Sequence, residues 1–117
     1  MKPIALSCAA ALALGIAACG GAATVTPKTA DATSAIAAAE AVGAQQHAEA
    51  SAYMKLARDE LAAAKELMRQ DEPEKAQLML ERAQADAELA LLLVRRNEAK
   101  TAAQRAQQQV QNLDAGQ

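Results

Sequence analysis

The sequence predicts an all-α protein, an antiparallel two-helix hairpin of the Ala-rich coiled-coil kind, set behind a lipoprotein leader and a flexible tether. Three observations predict it. First, 34 of the 117 residues are Ala, Tyr53 is the single aromatic, and Phe and Trp are missing. A buried Leu contributes about 1.5–3 kcal/mol and an Ala far less, so the composition disfavours a multilayer core and favours long helices that satisfy their own backbones. Second, two apolar runs keep a 4, 3, 4, 3 spacing. They are Ala50, Met54, Ala57, Leu61, Ala64 and Met68, then Ala76, Leu80, Ala83, Ala87, Ala90 and Val94. Third, the one strong breaker after residue 30 is the segment Gln70-Asp71-Glu72-Pro73-Glu74.

Residues 1–18 open with Lys2 and continue as an apolar run from Ile4 to Ala18 that ends in small residues. This is the pattern of a secretory leader, and at about 15 residues it is short for a spanning helix, which needs about 20. Ile16-Ala17-Ala18-Cys19-Gly20 then resembles the bacterial lipobox: an aliphatic residue, two small ones and the cysteine that is lipidated. Small residues before the thiol let the backbone lie extended in a peptidase cleft at the membrane surface. The resemblance implies a diacylglycerol on the Cys19 sulfur, cleavage before Cys19, and an acyl chain such as palmitate on the new amino end. Two or three chains anchor stably where one does not. No Asp follows Cys19, so the inner-membrane retention signal of enteric lipoproteins is missing; the resemblance implies the periplasmic face of the outer membrane, with the inner membrane as the alternative. Cys8 reads as a small residue of the leader.

Residues 19–30, which include Gly20, Gly21 and Pro27, carry turn formers and no periodicity, and are expected to be a flexible tether. The helices are expected at about 31–69 and 72–113, nearly equal in length, with Gly43 kinking the first. Pro73 suits the first turn of a helix, where its missing N–H is not needed, and Asp71 stands three residues before Glu74 in capping-box spacing; Asp71, Pro73 and Glu74 are thus the expected turn. Folding back at this point pairs Ala64 with Leu78 and Ala57 with Ala85. Ala99, Ala103, Ala106, Val110 and Leu113 restart the heptad spacing after a break at Asn97 and Thr101.

Composition also removes most chemistry. With a single His, His47, and both cysteines within the first 19 residues, neither a metal-ligand cluster nor a nucleophile–His pair can be drawn. A formal net charge of −2 and one aromatic argue against nucleic acid. No catalytic residue, metal ligand, cofactor or small-molecule substrate is expected, and the chain is not expected to be an enzyme. Arg95 and Arg96 are expected to pair with Glu49 or Glu98, or to contact a polyanionic wall polymer.

The segment from Ala48 to Leu113 resembles a family of short bacterial lipoproteins known as a domain of unknown function. The matching residues are Ala57, Leu61, Ala64 and Lys65 before an acidic turn, then Ala76, Ala83, Asp86, Ala87 and Ala90. The resemblance implies a lipidated helical hairpin whose gene often stands beside those of OmpA-like peptidoglycan-binding proteins, and it supplies no activity. Braun-type lipoproteins are also Ala-rich and helical, but here Pro73 breaks the rod and no terminal Lys is present for attachment to the wall. The run Leu89, Ala90, Leu91, Leu92, Leu93 and Val94 is apolar on every side of a helix, whereas a hairpin covers only one. Some of Leu89, Leu91, Leu92 and Leu93 should therefore remain exposed as a docking patch for an envelope protein or a second copy, the alternative being that the first helix wraps around the run with Tyr53 and Leu56. The expected function is a lipid-anchored, non-catalytic scaffold or adaptor of the cell envelope. The alternatives are a self-assembling spacer between outer membrane and cell wall, or an accessory subunit that modulates an envelope enzyme or transporter.

Overall fold

The computed structural model describes residues 20–116. Every regular element among them is helical: α1 (Gly20–Ala41), α2 (Ala48–Arg69) and α3 (Pro73–Ala115), with a single 3₁₀ turn, Ala44–Gln46, between the first two. The leader, the lipobox residues Ile16, Ala17 and Ala18, and Cys19 lie outside the described residues.

The all-α reading holds, but there are three helices rather than two. The helix expected over 31–69 is interrupted after Ala41, because Gly43 does not kink it but ends it. Gly43 takes a left-handed backbone, φ 72° and ψ 31°, and its N–H donates to the Glu40 carbonyl at 2.9 Å, as in a glycine-terminated helix end. His47 is extended, φ −102° and ψ 119°, and α2 restarts behind it. The stretch expected as a tether is also helical, since α1 begins at Gly20 and includes Pro27, which has no N–H to donate. Burial explains this. Val25, Ala32, Ile36 and Ala39 are buried along one side of α1, and Thr29 completes their 4, 3, 4, 3 spacing.

The second turn reads differently in three dimensions as well. Asp71 does not cap α3. It is the single non-glycine residue of positive φ, 59°, among the described residues, and it closes α2 with two bonds: Asp71 N–H to the Met68 carbonyl at 3.3 Å and Glu72 N–H to the Leu67 carbonyl at 3.0 Å. This is a Schellman end with Asp where Gly is usual. Glu72 precedes α3 without a side-chain cap, and Pro73 opens the helix. Asp71→Gly should therefore raise stability: relief of the left-handed strain outweighs glycine's added chain entropy by about 0.5 kcal/mol, a gain of about 2–4 °C in Tm. Thermal unfolding followed by circular dichroism tests this, and a lower Tm would refute the strain.

Helix α3 is the centre of the bundle. Val25, Ala32 and Ala64 pack with Leu80 and Ala83, while Ile36, Ala39, Met54 and Ala57 pack with Ala87, Ala90 and Val94. Residue numbers on α1 and α3 rise together in these groups and those on α2 fall, so α1 runs parallel to α3 and antiparallel to α2. Ten of the twelve seam residues are fully buried: Ala50, Met54, Ala57, Ala64, Ala76, Leu80, Ala83, Ala87, Ala90 and Val94. Leu61 is half-buried and Met68 is exposed. Small side chains at so many seam positions let the helices approach closely, and the largest side chains fully enclosed among the described residues are Met54, Leu80 and Val94. The register differs from the one counted from the turn. Ala64 shares its cluster with Leu80 and Ala83, whereas Leu78 and Ala85 point outward.

Ion pairs lace the three helices at their edges. Lys28–Glu81 joins α1 to α3 at 3.5 Å, Arg58–Glu40 joins α2 to α1 at 2.5 Å, and Arg96–Glu49 joins α3 to α2 at 2.7 Å. All are solvated, and such pairs contribute about 0–1 kcal/mol each. They report the alignment of the helices more than they stabilise it.

Because the chain turns back at Gly43 rather than near residue 31, α2 is too short to accompany α3 to its end. Residues 98–116 are exposed throughout. At about 1.5 Å per residue, this single helix projects roughly 25 Å beyond the bundle.

Candidate functional site: the outer face of α3

The apolar run at Leu89–Val94 is divided by its neighbours. Leu93 is buried in the main core at 7% exposure, and Leu91 packs partly against it and lines the groove between α1 and α3 with Ala35 and Ala38. Of the four leucines, α1 and α2 cover Leu91 and Leu93, because a third helix claims a side of α3 that a hairpin would leave bare. Leu89 and Leu92 remain outside, at 37% and 58% exposure.

These two belong to a longer exposed row. Leu78, Ala85, Leu92, Ala99, Ala106 and Leu113 recur every seven residues, Leu89, Ala103 and Val110 fall between them, and Arg82 and Arg96 take the other two intervening positions, all exposed. At about 100° per residue, this row lies roughly opposite the buried seam of α3. It crosses from the bundle onto the projecting helix, where Val110 and Leu113 are 57% and 66% exposed. Leu56 on α2 stands beside it. It shares a column with Glu49 and Glu60, which reach across to Arg96 and Asp86 of α3, and it is itself exposed.

Charge gathers at the same edge. Burial raises the Glu60 carboxyl above the ordinary carboxylate range, and the neighbouring Asp86 raises it further by its charge and by a hydrogen bond, with Arg82 opposing. An acid whose folded pKa stands above its unfolded one holds its proton more tightly in the folded chain. Its contribution to stability is therefore present at low pH and lost as pH rises from the ordinary carboxylate range through the raised value. Glu60→Gln should then equal the wild type near pH 4 and exceed it in Tm by about 1–3 °C at pH 7. Parallel profiles of Tm against pH would exclude the coupling. Glu81 is displaced the other way, lowered first by a hydrogen bond from Gln77 and then by Lys28.

His47 sits half-buried in the turn before α2, and no group of His, Cys, Asp and Glu suited to a metal ion is formed among the described residues. Pro73 and Glu74 lie in the first turn of α3. No helix among the described residues is long and apolar enough to cross a membrane.

Fold and surface define a small all-α bundle protein whose third helix outruns the other two and carries an uncovered apolar row. Residues 27–113 match the model of a family described as a domain of unknown function (DUF4398), and the chain belongs to that family. The matched segment takes in α1 from Pro27 onward, all of α2 and α3 as far as Leu113. No curated protein and no solved structure matches the chain.

Proposed function

We propose that the chain is a lipid-anchored, non-catalytic scaffold of the bacterial cell envelope that acts through the outer face of α3. The observation that carries this reading is the exposed row from Leu78 to Leu113, which offers a partner a helix-docking surface. The lipobox residues Ile16, Ala17, Ala18 and Gly20 around Cys19 support the anchor: diacylglycerol on the thiol and an acyl chain on the amino end would hold the bundle at a membrane. On the rule drawn from enteric lipoproteins, that membrane is the outer one, seen from the periplasm. An OmpA-like protein or another envelope protein is a partner of the right kind, and a second copy of the chain is the partner under the spacer reading.

Two measurements test this function. Cys19→Ser should accumulate unprocessed precursor without acyl label, and a wild type that takes up no label and matures in globomycin would remove the anchor. A photo-crosslinker at position 92 in intact cells should form a discrete protein adduct. Adducts confined to lipid, or none, would remove the docking role of α3.

A further inference from the structure

We propose that the outer face of α3 is a homodimer interface, on which α3 of a second copy lies antiparallel with Leu89 and Leu92 of both copies at the two-fold axis. The inference rests on the reading of this face as the working surface and names its occupant. Three observations carry it: the exposed row, the charges that flank it, and the position of Leu56.

The row has the 3, 4 alternation of a coiled-coil seam, with Arg82 and Arg96 at two of its positions, and this seam has no covering helix in the bundle. Along one flank, seven residues apart, stand Glu74, Glu81, Glu88 and then Arg95; along the other stand Asp86, Lys100 and, at the far end, Asp114. The flank charges within about ten residues of Leu92 are thus acidic before it and basic after it. In a parallel pair each flank meets the opposite flank five residues on, which sets Glu81 against Asp86 and Arg95 against Lys100, like charge on like. In an antiparallel pair each flank meets its own equivalent in reverse. With Leu89 of one copy opposite Leu92 of the other, Glu88 comes level with Arg95 of the second copy to within about 3 Å along the axis, and symmetry makes that pair twice.

Neither residue is committed elsewhere among the described residues in a way that prevents this. Glu88 accepts a hydrogen bond from Gln84 at 2.8 Å, one turn away on its own helix, which leaves carboxylate acceptor capacity. Arg95 forms no ion pair among the described residues. Large and small residues also alternate usefully in this register, since Leu78 falls opposite Ala103 of the second copy. Leu56 on α2, exposed at the level of Leu89, extends the apolar centre beyond a single helix. A second copy is the occupant that matches because the face is complementary to itself when reversed, as a two-fold interface requires.

Sedimentation equilibrium of the full chain in density-matched detergent tests the proposal, with circular dichroism to establish that each variant remains helical. The wild type should be a concentration-dependent dimer. Glu88→Arg and Arg95→Glu should each weaken it about tenfold or more, and the double charge swap should restore it. Glu88 and Arg95 are about 10 Å apart along one helix, so rescue reports contact between copies rather than within one. Leu92→Asp should abolish the dimer while the helical signal persists. A wild type that is monomeric at about 100 μM, or single variants that dimerise as it does, would overturn the proposal. Capture of a different envelope protein from position 92 by a monomeric chain would overturn it too while leaving the scaffold reading standing, whereas a monomer that captures no protein would end both.

Discussion

Ala57→Phe is expected to lower Tm by about 10 °C or more and to lose its cooperative unfolding first at the α2–α3 seam. Ala57 is fully buried and packs in the cluster that holds Met54, Ala87, Ala90 and Val94. A ring placed there has no void to enter, because the neighbouring seam residues are small so that the backbones can lie close. Overpacking a filled core costs about 1–3 kcal/mol and more where the backbone must move, and at this chain length 1 kcal/mol is about 4–8 °C. Met54 or Leu80 cut to Ala would lose less in steric terms but would leave a cavity. The comparison is informative because Ala52, on the same helix but exposed, should accept Phe with a change of only a few degrees. Equal melting of the two Phe variants would show that the seam is loose and that close approach does not hold the helices together.

Ile36→Asp should destabilise the chain by about 3 kcal/mol or more, because it places a carboxylate in the apolar core that joins α1 to α3. This variant separates the three-helix bundle from the hairpin that α2 and α3 would form alone. If α1 were a tether, Asp at position 36 would lie in water and Tm would not move. In the bundle, α1 should detach, and hydrogen exchange should speed up along α1 and also at Leu80, Ala83, Ala87 and Ala90, whose seam it covers. Amides of residues 98–116 should exchange fast in both proteins, since that part of α3 has no tertiary contact to protect it. Unchanged protection at α3 after the substitution would mean that α1 contributes little to the fold.

The parts that could be read early are those written in local pattern. Ala content and heptad spacing both concern residues within a turn or two of each other, and they identified the helical class and the residues that α2 and α3 bury. Pro73 marks a helix start by its own chemistry. The parts that could not be read are those in which one local pattern has two structural uses. Gly43 kinks a helix or ends it, and which occurs depends on whether the preceding segment finds a surface to pack on. Asp71-Glu72-Pro73-Glu74 has the spacing of a cap for the following helix, yet the backbone uses Asp71 to close the preceding one. The start of the stripe, at Val25, is diluted by Gly20, Gly21, Pro27 and three threonines, so residues 19–30 read as a tether and the first helix as beginning only at about residue 31.

The same division runs through the candidate site. An all-round apolar run at Leu89–Val94 announces that something must cover it, but not what or from which side. Helix α1 takes Leu91, the main core takes Leu93, and the remainder joins a row that continues to Leu113. Helix formation and the buried faces of α2 and α3 follow from hydrogen bonds and spacings that span a few residues, which is why the amino-acid order alone reveals them. The third helix, the uneven ends and the bare outer face follow from contacts between residues about fifty positions apart, such as Lys28 with Glu81 and Ile36 with Ala87. Those contacts exist only once α3 presents both sides of its seam at the same time, and no local spacing encodes that competition.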